Sequence, residues 1–215
     1  MSDLDFKNIL SDCDCVMFDF DGTLMDTDKY HIVAHNKVIS EVLGKDYSFT
    51  HEQFAKIIGK KDIEIFTDYK KQFNVDYDID EIVTKKTIIA RDLILDKSAK
   101  LFNYFDDVLK VKGDKKFYIA SNQDERLLFP VLKEKGIYDY FEKVFCCPKM
   151  NIEKEYLYNH LSEFIDHSES RKLAVFEDSK AVTIHAKKLG FITIGVESNF
   201  NRGNLQNLSD YLISY

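Results

Sequence analysis

"CVMFDFDGTLMDTD", residues 15–28, is an apolar run that ends in carboxylates. Val16 to Phe18 reads as a strand bound for a core, yet Asp19 closes it and Asp21, Gly22 and Thr23 follow. A buried carboxylate that loses its partner costs about 3–5 kcal/mol, so folding alone rarely sets two acids at the mouth of a core strand. Two readings compete at this point: an acidic turn that caps a helix, or carboxylates that serve a metal and a reaction.

Outward from this strand, taken as Asp14–Phe20, the text turns helical from Asp28 to about Lys100. Ile32, Val38, Ile39, Val42 and Leu43 recur at helical spacing, and Gly44 offers a stop. "THEQFAKIIG" (50–59) opens on Thr50 as N-cap, Gln53 completes a capping box, and Gly59 closes the segment. "IEIFTDYKKQF" and "DEIVTKKTIIARDLIL" continue the pattern, enough for a small all-helical domain. The register then changes. "KFYIAS" (116–121), a run near Lys143–Cys146, "KLAVFEDS" (172–179) and "FITIGV" (191–196) read as strands separated by helical text, including a helix over about 152–165. Such alternation predicts βαβ units and a parallel sheet. The expected fold is α/β, a Rossmann-like parallel-sheet core (1–25 and 100–215) interrupted by a helical cap (26–99). Pro130 lies inside a predicted helix, where it should remove a hydrogen bond and kink the chain.

Bulk properties narrow the function classes. The 215 residues carry 45% apolar and 13% aromatic side chains, which supports a sizeable core and argues against disorder. Thirty basic and 37 acidic residues, well mixed, give a net charge of −7 and no reason to expect a nucleic-acid surface. No run approaches about 18 apolar residues, and "MSDLDFKNIL" lacks a signal peptide's basic and apolar regions. A cytoplasmic monomer without membrane contact is expected. Cys13, Cys15, Cys146 and Cys147 lack metal-site spacing and read as reduced core thiols.

Ligands of open parallel sheets bind beyond the strands' carboxyl ends. Those ends supply Asp19 and Asp21, Ser121 and Asn122, Lys149 after Pro148, and Glu177, Asp178 and Ser179. Oxygen ligands without histidine or thiolate suit Mg²⁺. Ser121, Lys149 and the backbone N–H groups of the turn at Gly22 and Thr23 suit phosphate. Lys154 is the rival to Lys149. Ser121 and Asn122 also fit a helix N-cap. His31, just past Asp26-Thr27, can face a substrate, whereas His35 and the Lys60–Lys61 pair read as surface groups.

"DFDGTL" (19–24), "IASN" (119–122), Lys149 and "FEDS" (176–179) resemble, in order, the four motifs of the haloacid dehalogenase superfamily. With the helical insert, the whole chain resembles its phosphoglycolate phosphatase and β-phosphoglucomutase branch. The departures are Pro148 preceding rather than following the lysine and Val182 where glycine is frequent. The resemblance implies that Asp19 attacks phosphorus to form an aspartyl-phosphate and that Asp21 acts as acid and then base. It implies Mg²⁺ held by Asp19, the carbonyl of Asp21, and Asp178 with Glu177 near, and phosphate held by Ser121 and Lys149. The expected activity is Mg²⁺-dependent hydrolysis of a small phosphate monoester: a sugar, polyol or amino-alcohol phosphate. A sugar phosphomutase shares these motifs, but commonly carries a basic residue at the position of Asp62. A silent metabolite-binding protein is the third reading.

Overall fold

The computed structural model describes residues 4–57, 59–97, 99–165, 172–198 and 200–215. Six strands form one parallel sheet: β1 (Cys15–Phe18), β2 (Lys116–Ser121), β3 (Lys143–Cys146), β4 (Leu173–Glu177), β5 (Ile192–Glu197) and β6 (Tyr211–Ser214). Their order is β3-β2-β1-β4-β5-β6. β1 lies between β2 and β4, with Val16 opposite both Phe117 and Ala174. The chain therefore builds outward from β1 first on one side and then on the other. That reversal opens a crevice at the carboxyl end of β1.

All four residues of β1 are buried, as a strand covered on both faces requires. Val16 and Phe18 enter one core, where Phe18 stacks on Phe176 at 4.8 Å and meets Phe105 and Phe117 edge-on. Cys15 and Met17 enter the opposite core with Leu157, Tyr158 and Val182. All four cysteines are buried.

Between β1 and β2, helices α2 (Asp28–Leu43), α3 (His51–Ala55), α4 (Asp62–Phe73) and α5 (Ile79–Asp96) stand outside the sheet. They close around a third cluster, Val38, Ile39, Phe49, Ile65, Phe66 and Tyr69. Gly44 ends α2 at φ 62°, and the Thr50–Gln53 capping box starts α3 as its sequence predicts. The two passages between sheet and helices run side by side: the Asp26 N–H donates to the Lys100 carbonyl at 3.1 Å and the Phe102 N–H to the Leu24 carbonyl at 3.0 Å.

Three local expectations need correction. β1 is shorter than its apolar text, because Phe20 and the acids already belong to the turn. The helix expected over 152–165 is Lys154–Asn159 followed by a 3₁₀ turn, Leu161–Glu163. β6, absent from the sequence reading, pairs with β5 through Ile213 and Val196. Pro130 does lie within a helix, Glu125–Glu134. Among the described residues, no helix is long and apolar enough to cross a membrane.

Candidate active site

The turn after β1 and the end of β4 bring three carboxylates together. Asp19, Glu177 and Asp178 are buried, and each offers an oxygen within 4.8 Å of the others'. The cation among them is Lys154, the first residue of its helix, whose Nζ donates to Asp19 Oδ1 at 2.5 Å and to Glu177 at 3.0 Å. Burial pushes the Asp19 carboxyl up to about 7, with Lys154 opposing and Glu177 adding to the rise. Asp178 is raised well above the carboxylate range by burial and by Asp19 and Glu177. Burial alone would depress the Lys154 ammonium, but Asp19 and Glu177 outweigh it and raise it. When the three acids are ionised, one ammonium leaves a negative surplus, which a divalent cation would neutralise; all-oxygen donors suit Mg²⁺. Gly22 belongs to this cradle. Its φ is +69°, and a Cβ there would lie 2.4 Å from Asp178 Oδ2.

Asp21 turns away from that cluster. It accepts hydrogen bonds from Thr27 Oγ1 at 2.7 Å, His31 Nε2 at 2.8 Å and Gln123 Nε2 at 2.9 Å. Burial opposes ionisation, yet His31 and these donors outweigh it and hold the carboxyl down at about 2. Lys86 donates to His31 Nδ1 at 3.0 Å, so that nitrogen is the acceptor and Nε2 carries the hydrogen given to Asp21. Lys86 also donates to Asp62 at 2.8 Å, and His35 Nε2 lies 3.4 Å from the same carboxylate. The helical insert thus reaches Asp21 through a continuous polar chain.

Both groups border one cavity of about 90 Å³, which Ser121 and Asn122 also line. Ser121 is buried, and its Oγ accepts from the Gln123 N–H at 3.0 Å. Asn122 Nδ2 donates across the cavity to the Gly59 carbonyl at 3.1 Å. Among the described residues, Thr23 Oγ1, Asn122 Oδ1 and His35 Nδ1 are buried without a hydrogen-bond partner. Lys61 also crosses from insert to core, donating to Glu153 at 2.5 Å and to the Ile152 carbonyl at 3.1 Å.

A family model described as haloacid dehalogenase-like hydrolase matches residues 16–196. The chain belongs to this family. Three solved structures share the fold of this hydrolase over nearly its whole length. CbbY from Rhodobacter sphaeroides, in complex with phosphate, is 20% identical with a TM-score of 0.79, covering 94% of this chain and 93% of that one. A β-phosphoglucomutase from Clostridium difficile is 17% identical with a TM-score of 0.72, covering 94% and 90%. A predicted phosphoglycolate phosphatase from Haemophilus somnus is 18% identical with a TM-score of 0.69, covering 94% and 93%. No curated protein sequence matches.

Three site expectations change in the hydrolase's structure. Lys149 is not in the cavity: the short helix Cys147–Met150 and the left-handed turn at Asn151 send it outward, where it is exposed and pairs with Glu125 at 2.5 Å. Its rival Lys154 stands at Asp19 instead. His35 is no surface group; it is buried beside Asp62 and stacks on Phe66 at 5.2 Å. Lys61, read as solvated, bridges insert and core. Gln123, Asp62 and Lys86 join the site without having been singled out for it. Lys86 had a signal, because it precedes Ala90 and Ile94 at four-residue intervals and so shares their buried stripe.

Proposed function

We propose that this hydrolase is a Mg²⁺-dependent phosphatase of small phosphate monoesters, working through an aspartyl-phosphate at Asp19, with a cap of residues 26–99 over a core of 1–25 and 100–215. The observation that carries the reading is the division of labour within one cavity. Asp19 sits with Lys154 and the acid pair, while Asp21, two residues on, is held separately by Thr27, His31 and Gln123.

Asp19, Glu177 and Asp178 would hold Mg²⁺, which when bound offsets the repulsion between carboxylate and phosphate. Lys154 orients Asp19 and, with Ser121, Asn122 and the N–H group of Thr23, holds the phosphoryl oxygens; the Gly22 N–H, expected to join them, is taken by the Met25 carbonyl at 2.9 Å. An Asp19 oxygen bonds to phosphorus as the bond from phosphorus to the substrate's alcohol oxygen breaks. Asp21 gives that oxygen a proton, so the alcohol leaves neutral. Asp21 then takes a proton from a water that attacks phosphorus, the Asp19–phosphorus bond breaks, and inorganic phosphate leaves. Asp21 is ionised in the free protein; the proton for the first step comes with substrate, whose phosphate charge favours a protonated Asp21. His31 and Lys86 keep the carboxylate aimed.

The test is phosphate release from a panel of monoesters with and without Mg²⁺. Metal-dependent release supports the reading, and no release overturns it. Isomer formation from a hexose 1-phosphate that outruns phosphate release would make the protein a mutase instead.

A further inference from the structure

Beyond Asp21, the cavity wall comes from the cap and the first turn of α2, and its charge is unusual for a site that must admit a phosphate. Two carboxylates, the buried Asp28 and the half-buried Asp62, line it there in addition to Asp19, Asp21 and Asp178. Two of the three lysines lining the cavity are already engaged. Lys154 is held by Asp19 and Glu177, and Lys86 by Asp62 at 2.8 Å while it also donates to His31. The third, Lys60, is 46% exposed and makes only a screened ion pair with Asp68 at 3.8 Å. Among the described residues, no arginine lines the cavity. The transferring phosphate claims Lys154, so the alcohol portion of the substrate meets acids whose nearby cation is spoken for.

We infer that Asp28 and Asp62 restrict this cavity to monoesters whose alcohol carries no second anionic group, neutral polyols and amino-alcohols being accepted. The inference rests on the phosphatase reading and names its substrate class. A second phosphate or a carboxylate would bring like charge beside Asp62 among largely buried side chains, where Coulomb repulsion is less screened than in bulk water. A hydroxyl or ammonium instead finds acceptors in Asp28 and Asp62, against an apolar wall from Phe54, Ile57 and Ile65.

Three phosphates of one skeleton test it: phosphoethanolamine, ethylene glycol phosphate and phosphoglycolate end in an ammonium, a hydroxyl and a carboxylate. Each is scored as a competitor of p-nitrophenyl phosphate hydrolysis by the full chain in Mg²⁺, whether or not it is itself turned over. The expected inhibition constant of phosphoglycolate exceeds the other two by about tenfold or more. Asp62→Asn, which removes the charge at constant shape, should narrow that gap. Equal or tighter competition by phosphoglycolate in the wild type overturns the inference, as does no competition by any of the three. If p-nitrophenyl phosphate itself is not hydrolysed, the phosphatase reading has failed; hydrolysis without charge discrimination sinks the substrate class alone.

Discussion

At the scale of single residues, two lysines five positions apart have opposite environments. Lys154 is buried between Asp19 and Glu177, and Lys149 pairs with Glu125 on the surface. Lys154→Ala is expected to lower phosphate release by roughly 10²–10³-fold, as loss of a preorganised charge at the reacting group does. Lys149→Ala should leave the rate unchanged, because an exposed ion pair contributes little. Rates of both variants, checked against their circular dichroism, decide the matter; equal loss in the two would contradict the placement. The sequence could not separate them, since a helix of four residues has no periodicity to read and the left-handed turn at Asn151 that redirects the chain leaves no apolar signature. Asp19, Ser121 and Asp178 were legible for the opposite reason: each follows or ends a buried apolar strand, where a polar residue has to be accounted for.

Among the elements, α2 and α3 start on threonines used in different ways. Thr50 closes a reciprocal box with Gln53, whereas Thr27 makes no side-chain cap and gives its hydroxyl to Asp21. Local stability is forgone at α2 in favour of the site. Thr50→Ala should therefore cost about 1 kcal/mol in chemical unfolding and leave turnover almost unchanged. Thr27→Ala should lower kcat roughly tenfold or more, since a donor that positions the acid–base group is gone. Unfolding curves and kcat measured side by side test the contrast, and a larger stability loss for Thr27→Ala than for Thr50→Ala would contradict it. The alternation of strands and helices was plain in the sequence because β1, β2 and β4 are almost wholly buried. β6 escaped notice because Tyr211 and Ser214 are exposed and Ile213 alone is fully buried, too little pattern for four residues.

Across the whole molecule, sheet and cap meet over a cluster whose charge is not balanced by the protein alone. Burial raises Asp19 to about 7 from an ordinary value of 3.8. A carboxyl raised on folding binds its proton more tightly in the native state. Its contribution to stability is therefore present below about pH 4 and is lost as pH rises through about 7. Mg²⁺ needs the ionised form, so its affinity rises over the same range. The gain in Tm on adding Mg²⁺ should accordingly grow between about pH 5 and about pH 8, and fall away in Asp178→Asn. A gain independent of pH, or preserved in that variant, would place the ion elsewhere.

The most direct measurement of the central claim is the initial rate of phosphate release from p-nitrophenyl phosphate in Mg²⁺, for the wild type and for Asp19→Asn. Asparagine keeps the shape at the end of β1 but offers phosphorus no carboxylate. Metal-dependent release by the wild type and a background rate for the variant are expected; release that survives in Asp19→Asn would show that Asp19 is not the nucleophile.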